Sequence, residues 1–309
     1  MNSSQGKINY AVIGTGALGG YYGGMLARAG LNVHFLFHSD YEFAKENGLR
    51  VDSVNGNFLI KPVNAYQSTN LMPVCDVILV CLKTMNNYLL KDLLPPLLHK
   101  DTVIILMQNG LGIEEELAEY FPQHSIAGGM AFICSSKVGN GHIAHYDYGS
   151  IRIGFHQRKN EELEKQIRSD FTKAGITIEI APDLNQARWQ KLVWNIPYNG
   201  MTVVLNTTTD RLMKNPDSRR MVRDLMMEVI NAAGYCKAQI GEDFVETMMK
   251  FTDAMTPYAP SMKLDYDAKR PMEIQAIYTN PVKTALKAGF DMKKVAMVEQ
   301  ELRFLQSTY

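Results

Sequence analysis

The sequence predicts an α/β domain at the N-terminus followed by an all-helical domain at the C-terminus. In the first half of the chain, short β-rich runs alternate with helical patterns, as in a parallel sheet covered by helices. A glycine-rich motif stands between the first β-rich run and the first helical pattern. From about Pro182 the β-rich runs stop and helical periodicity dominates, so we expect domains at residues 1–182 and 183–309.

The glycine-rich motif directly follows the apolar run at residues 8–13 and reads G-x-G-x-x-G. A helical pattern of small residues follows it, and this strand–turn–helix context predicts a Rossmann dinucleotide-binding domain rather than a plain glycine-rich turn. The first glycine allows the tight turn, the second lets the backbone approach a pyrophosphate, and the third lets the helix pack closely on the strand. The predicted cofactor-binding residues are Gly14, Thr15, Gly16, Ala17, Leu18 and Gly19.

The other β-rich runs of the first half predict the remaining strands. The runs at residues 76–82 and 102–107 are continuous and rich in β-branched residues, as expected of strands buried on both faces. Asn55-Gly56 predicts a hairpin insertion between runs 49–54 and 57–63. We expect two late runs to pair antiparallel at a sheet edge, namely 142–145 and 150–155. Further strands are expected at 32–37, 125–132 and 177–180, and helices at 111–121 and 161–174.

Helical periodicity fills the second half of the chain, at residues 185–205, 217–233, 242–256, 271–288 and 293–306. Methionines recur along these patterns at helical spacing. Because methionine fills irregular gaps between packed helices, we interpret them as core residues. They include Met226, Met227, Met248, Met249 and Met255.

Charge and cysteine content exclude several functional classes. Lys plus Arg and Asp plus Glu both number 32, with no block of like charge, so we expect no nucleic-acid or membrane partner. The longest apolar runs are strand-sized and glycines interrupt the first, which argues against a membrane span and a signal peptide. The cysteines lack metal-ligand spacing, which indicates reduced thiols of a cytoplasmic protein. His142 and His145 fall on opposite faces of an expected strand, so no metal site is expected.

The end of the second expected strand bears on the choice between NAD and NADP. A carboxylate there typically binds the ribose hydroxyls of NAD, whereas NADP-binding proteins favour a basic residue. The strand is followed by His38, Ser39 and Asp40. Asp40 precedes a helical pattern, so we expect it to turn away from the cofactor and cap that helix. His38 and Ser39 are then left as donors for a phosphate.

Polar residues at two strand ends and on one helix are candidates for further contacts. Lys83 and Asn109 follow the runs 76–82 and 102–107, at the edge where open α/β sheets bind ligands. In the helical half, Lys191 and Asn195 share a helix face, and Asn199 joins them if Pro197 only kinks the helix. Burial among apolar residues would suit the lysine to act as an acid. The alternative interpretation is an exposed amphipathic face.

Taken together, four stretches make the chain resemble the ketopantoate reductase (2-dehydropantoate 2-reductase) family over nearly its whole length. They are IGTGALGG near the N-terminus, VCLKT, QNGLG and RWQKLVWNIPYN, supported by the segments 261–265 and 271–274. The resemblance implies a Rossmann domain, a helical domain and an active site in the cleft, where NADPH reduces a 2-keto acid, most directly 2-dehydropantoate to pantoate in pantothenate biosynthesis.

The resemblance also implies roles for individual residues. Lys191 matches the family's proton-donating lysine, and Glu273 matches its acidic partner. The implied substrate-binding residues are Asn109, Asn195, Asn199 and Ser261, and the implied cofactor contacts are Lys83, Asn109 and Cys134.

One position departs from the family pattern, because His38 stands where an arginine commonly holds the 2′-phosphate of NADP. Two alternatives stay open: a reductase of a different 2-keto acid, and a non-catalytic nucleotide-sensing protein. The second is disfavoured because a sensor needs no proton donor such as Lys191. A small-molecule substrate is the expected partner, with a homodimer as the assembly considered.

Overall fold

The computed structural model describes residues 8–255, 257 and 259–309, which fold into two compact units. One unit contains the chain up to Gln108 together with Glu114–Leu184. The other contains Asn109–Ile113 together with Asn185–Tyr309. An α/β unit followed by a helical unit is the predicted fold class, which is thereby confirmed. The domain limits of 1–182 and 183–309 stay a prediction, in which residues 1–7 lie outside the described residues.

The first unit is built on one sheet. Its strands are β1 (Asn9–Ile13), β2 (Asn32–Leu36), β3 (Leu49–Ser53), β4 (Phe58–Ile60), β5 (Asn64–Tyr66), β6 (Val77–Val80), β7 (Val103–Leu106), β8 (Ser125–Gly139), β9 (His142–Gln157) and β10 (Ile178–Ala181). The strand order is β4-β3-β9-β8-β7-β6-β1-β2-β5, with β10 beside β9. All described pairs are parallel except β3 with β4 and β8 with β9. The helices between the strands are α1 (Ala17–Arg28), α2 (Tyr41–Asn47), α3 (Leu90–Leu93), α4 (Ile113–Tyr120) and α5 (Glu161–Lys173).

Close packing of α1 on the sheet explains the run of small residues in this helix. A Cβ atom at Gly19 would lie 2.2 Å from the carbonyl oxygen of Gly14, and one at Gly23 would lie 2.5 Å from the ring of Phe35. The strand β6 beside β1 and its other neighbour β7 are buried along their whole length, as their continuous apolar sequences predict. The sequence thus predicts this central part of the fold correctly.

The expected antiparallel pair 142–145 and 150–155 is wrong, because both runs belong to the single strand β9. This strand pairs with β8 on one side and lies in the interior of the sheet rather than at an edge. Tyr148 and Gly149 have φ of 62° and 119°, so the backbone bulges at the point where the sequence suggests a turn. The strand continues past the bulge. Likewise, β8 extends beyond the expected residue 132 to Gly139.

On the other side of β9, β3 and β4 pair antiparallel, which confirms the predicted hairpin insertion. The second strand of this hairpin is shorter than the expected 57–63. The strand β5, which the sequence did not predict, follows it and pairs parallel with β2.

The second unit is helical. Its helices are α6 (Leu184–Val204), α7 (Thr209–Lys214), α8 (Pro216–Tyr235), α9 (Asp243–Ala254), α10 (Ser261–Asp267), α11 (Asn280–Lys287) and α12 (Lys293–Gln306). A π-helical turn, Gln275–Thr279, leads into α11. The end of the expected helix 242–256, Thr256, lies outside the described residues. As predicted, Met226, Met227, Met248, Met249 and Met255 pack in or against the core, whereas Met221 of α8 is exposed. Among the described residues, no helix is long and apolar enough to cross a membrane.

The expected helix 271–288 begins too early, because residues 271–273 are not helical. The N–H of Ile274 bonds to the carbonyl of Met272 at 2.8 Å, which closes a tight turn before the helical segment. The N–H of Met272 bonds to the Gln306 side chain at 2.7 Å. Glu273 therefore sits on a short non-helical segment rather than on a helix face.

The helix α6 continues through Pro197 and packs closely on two neighbours. The hydroxyl of Tyr278 in the π-helical turn donates to the carbonyl of Ile196 at 2.8 Å. At Gly200, one turn further along, a Cβ atom would lie 2.6 Å from Val298 of α12 and 2.7 Å from the Tyr278 hydroxyl. The absent side chain at position 200 therefore sets the distance between α6, the π-helical turn and α12.

We expect Gly200→Ala to lower the free energy of unfolding by about 1–3 kcal/mol, because the added methyl overpacks a buried contact. The matched control is Gly234→Ala on α8, where a Cβ atom would meet nothing within 4 Å. Alanine favours an exposed helix by up to about 1 kcal/mol over glycine, so this control should keep or raise stability. Urea unfolding of both variants measures the difference. A stabilised Gly200→Ala variant would contradict the close packing of α6.

Candidate active site

The loop between β1 and α1 has the backbone features that a dinucleotide phosphate needs. Gly14 has φ of 97°, a left-handed conformation that L residues with side chains rarely adopt. Gly16 precedes α1, and a Cβ atom there would meet nothing within 4 Å, so this backbone faces open space. No side chain caps the start of α1, and its first turn has no acidic residue. Its N–H groups and helix dipole therefore suit an anion, and the residues present fit a pyrophosphate.

Thr15 has a structural role inside this loop. Its side chain is buried, and its hydroxyl donates to the carbonyl of Leu36 at 3.0 Å. Since Leu36 is the last residue of β2, this bond fastens the glycine loop to the strand end that the adenosine ribose approaches in doubly wound folds. The Thr15 hydroxyl is therefore already used inside the protein.

The three polar residues after β2 differ in exposure. His38 and Ser39 are exposed, as donors for a phosphate need to be. Asp40 is only 2% exposed and occupies the residue before α2, but its side chain does not cap this helix. Its carboxylate instead accepts from the ammonium of Lys137 at 2.8 Å and from the N–H of Gly141 at 2.9 Å. The prediction that Asp40 caps α2 is therefore wrong, because its carboxylate bonds to Lys137 and Gly141 and not to the N–H groups of the helix.

The strand ends of β6 and β7 are joined by a residue that the sequence did not single out. Gln108, two residues beyond the end of β7, is buried and donates to the carbonyl of Leu82 at 2.8 Å and to the Asn87 side chain at 2.6 Å. Lys83 lies between those partners in sequence and is partly exposed. Cys134 is buried on β8 and forms no disulfide bond with another described residue. The position of Gln108 right after a buried strand was the available signal.

In the helical unit, α6 carries the predicted polar face. Because α6 continues through Pro197, Lys191, Asn195 and Asn199 follow each other at one-turn spacing on the same side. Lys191 is partly exposed, and its ammonium lies 6.0 Å from the ring centroid of Trp194. The two asparagines are 3% and 2% exposed. The alternative of an exposed amphipathic face is therefore wrong for both amides.

The segment Asn109–Ile113 belongs to the helical unit and contacts α6 directly. The side-chain oxygen of Asn109 accepts from the amide of Asn195 at 3.1 Å. Leu111 fastens the segment, because its N–H donates to the carbonyl of Ala276 at 3.0 Å and its carbonyl accepts from Asn280 at 2.7 Å. Asn109 and Asn195, predicted from distant parts of the sequence, are thus brought together.

Asn199 has a buried side-chain oxygen with no hydrogen-bond partner among the described residues. Buried acceptors in proteins are almost always paired, and leaving one unpaired costs about 1–3 kcal/mol. The amide thus offers an acceptor to a donor supplied from outside, such as a hydroxyl or an ammonium group.

Tyr198 is a second titratable group on α6, but it does not suit proton transfer. Its hydroxyl donates to the sulfur of Met213 at 3.2 Å, and its ring lies 4.9 Å from that of Trp194. Burial raises the pKa of Tyr198 to about 12, so the phenol holds its proton at neutral pH. The Tyr198 hydroxyl is thus bonded inside the core and is not presented to a substrate.

Glu273 and Ser261 lie on other segments of the helical unit. Glu273 is 7% exposed and stands just before the π-helical turn, whose Ala276 contacts the segment Asn109–Ile113. Ser261 is the first residue of α10 and is partly exposed. The roles expected for these two residues stay predictions.

Comparisons with known proteins agree with this organisation. The family model for ketopantoate reductase PanE/ApbA matches residues 10–158, and the model for its C-terminal part matches residues 183–306. A 2-dehydropantoate 2-reductase from Nostoc sp. (strain PCC 7120) is 48% identical over 301 residues, which cover 96% of this chain and 94% of the relative.

Solved structures extend the similarity to the fold. The crystal structure of a 2-dehydropantoate 2-reductase from Geobacter metallireducens GS-15 matches with a TM-score of 0.92 and 39% identity, covering 96% of this chain and 99% of that one. A D-mandelate dehydrogenase solved with NADH and anilino(oxo)acetate shares the fold, with a TM-score of 0.88, 20% identity and coverage of 97% and 99%. From the two family models and these relatives, the chain belongs to the ketopantoate reductase family of oxidoreductases.

Proposed function

We propose that this oxidoreductase reduces the keto group of 2-dehydropantoate to the hydroxyl group of pantoate with NADPH, as a step of pantothenate biosynthesis. The observation that carries the proposal is the polar face of α6, where the buried Asn199 oxygen lacks a partner next to Asn195 and Lys191. A 2-keto acid that carries a hydroxyl group offers the donor that Asn199 lacks. The names of the relatives described above support the choice of substrate.

In the proposed reaction, bound NADPH supplies the hydride that reduces the keto carbon. Lys191 donates a proton to the oxygen that becomes the hydroxyl group, which avoids a free alkoxide. Asn199 accepts from the substrate hydroxyl, and Asn195, held by its bond to Asn109, presents its amide beside it. Glu273 acts as the acidic partner of Lys191, and Ser261 contacts the substrate carboxylate. Holding the reactants in a fixed geometry contributes much of the rate acceleration.

The first unit supports NADPH as the cofactor. The residues Gly14, Thr15, Gly16, Ala17, Leu18 and Gly19 form the open backbone for the pyrophosphate. His38, Ser39 and Lys83 offer donors to the 2′-phosphate, and the buried Asp40 is engaged by Lys137. Asn109 and Cys134 complete the proposed cofactor contacts. The four cysteines lie among the described residues and form no disulfide bond with one another, which fits a cytoplasmic location. The homodimer stays a prediction.

We expect Lys191→Ala to lower kcat for 2-dehydropantoate by at least about 100-fold, because general acid catalysis contributes about 100- to 10,000-fold. Lys191→Arg should also lose most of kcat, since a guanidinium keeps the charge but does not release its proton near neutral pH. Steady-state kinetics measure both, and NADPH affinity should stay close to that of the wild type.

The matched control for this prediction is Lys250→Ala, which removes an exposed lysine from α9 in the same unit. This variant should keep wild-type kcat, because its ammonium lies on a different helix from the polar face of α6. A Lys191→Ala variant with near wild-type kcat would remove Lys191 from the mechanism.

We expect the wild type to prefer NADPH over NADH in kcat/KM, and His38→Arg to strengthen this preference by about fivefold. An arginine binds a phosphate through two charged hydrogen bonds, which exceed one neutral bond by about 1 kcal/mol. His156→Arg, at an exposed position of β9 in the same unit, is the control for added charge. A wild type that prefers NADH would refute the NADPH assignment.

A further inference from the structure

Asp40 stands where many dinucleotide-binding proteins have the carboxylate that selects NAD. In such folds, an acidic residue about 20 residues beyond the glycine motif binds the ribose hydroxyls and disfavours a 2′-phosphate. Asp40 is the acidic residue at this distance, and it follows directly after His38 and Ser39. By sequence alone it would oppose NADPH. Its environment in the structure therefore decides what it contributes.

In the structure, the Asp40 carboxylate is buried. Asp40 is 2% exposed, and the same carboxylate oxygen accepts from the Lys137 ammonium at 2.8 Å and from the Gly141 N–H at 2.9 Å. Lys137 lies near the end of β8, and Gly141 lies in the turn between β8 and β9. A buried carboxylate is stable as an anion only when it is paired and hydrogen-bonded, so these two donors determine where it points.

We propose that Lys137 is a specificity-determining residue for the cofactor, which acts by holding the Asp40 carboxylate away from the 2′ position of the adenosine ribose. The inference rests on the proposed use of NADPH. With the ion pair formed, a 2′-phosphate meets His38 and Ser39 without a neighbouring free carboxylate. With Lys137 removed, the buried Asp40 loses its counter-charge and turns outward, where it repels a phosphate and accepts from the free hydroxyls of NADH.

A purely structural role for the Lys137–Asp40 ion pair predicts a different result. If the ion pair only fastened the turn between β8 and β9 to the start of α2, its loss would weaken NADPH and NADH binding alike. The ratio of the two dissociation constants separates the two roles. If the Asp40 carboxylate itself disturbs NADPH binding once Lys137 is removed, then replacing Asp40 as well should restore this ratio of dissociation constants.

The experiment measures the dissociation constants of NADPH and NADH by calorimetry for the wild type and for Lys137→Met, Lys137→Arg, Asp40→Asn and the double variant Lys137→Met/Asp40→Asn. Lys137→Met should lower the preference for NADPH by about fivefold or more, as expected for one unit charge about 4 Å from the phosphate in water. Lys137→Arg should keep the preference. The double variant should return to within about twofold of the wild-type ratio, a twofold ratio being well under 1 kcal/mol.

Lys45→Met is the control for charge, because it removes an exposed lysine that lies over the Tyr41 ring of α2. This variant should keep the wild-type ratio. Two results would overturn the role of Lys137. In one, Lys137→Met keeps the wild-type ratio of the NADPH and NADH dissociation constants. In the other, the double variant loses as much of the preference for NADPH as Lys137→Met does. If Lys137→Met does not fold, a fivefold gain in the relative affinity for NADH in Lys137→Gln decides the question, and an unchanged ratio overturns the role. A wild type that binds NADH more tightly overturns the proposed cofactor itself.

Discussion

The close approach of Gly110 to Ala276 is the constraint on which the candidate site depends. Gly110 has φ of 109°, and a Cβ atom there would lie 2.6 Å from the Ala276 carbonyl oxygen. A residue with a side chain would be strained in this conformation and would push the segment Asn109–Ile113 away from the π-helical turn. The bond between Asn109 and Asn195 requires this position, so one absent side chain fixes the polar face of α6.

The same constraint joins parts of the helical unit that are distant in sequence. The segment Asn109–Ile113 interrupts the α/β unit and packs with helices that follow much later in the chain. Its neighbour, the π-helical turn, also holds α6 through the bond from Tyr278 to Ile196. The residue Glu273 comes just before this turn. The polar face of α6 and the segment that carries Glu273 are therefore held by the same set of contacts.

The sequence predicts those parts of the fold that depend on local patterns. The glycine motif, the buried strands β6 and β7 and the helices of the second unit all have short-range periodicity. The continuity of β9 was missed because Tyr148 and Gly149 resemble a turn, and only the pairing with β8 continues the strand through the bulge at these residues. For the site, the sequence identifies Lys191, Asn195 and Asn199 but not the burial of the amides, which depends on helices packed around α6. The partner of Asp40 was missed for the same reason, since Lys137 lies on a distant strand.

In the proposed reaction, hydride passes from NADPH to the keto carbon of 2-dehydropantoate, and Lys191 of α6 donates the proton to the keto oxygen. The most direct test supplies NADPH deuterated at the nicotinamide C4 position, in each of its two epimers, and analyses the product by mass spectrometry and NMR. The account predicts pantoate with one deuterium at C2 from one epimer only, and slower turnover of phenylglyoxylate, the keto acid of mandelate, in a parallel reaction. Pantoate without deuterium at C2, no consumption of NADPH, or faster turnover of phenylglyoxylate would contradict it.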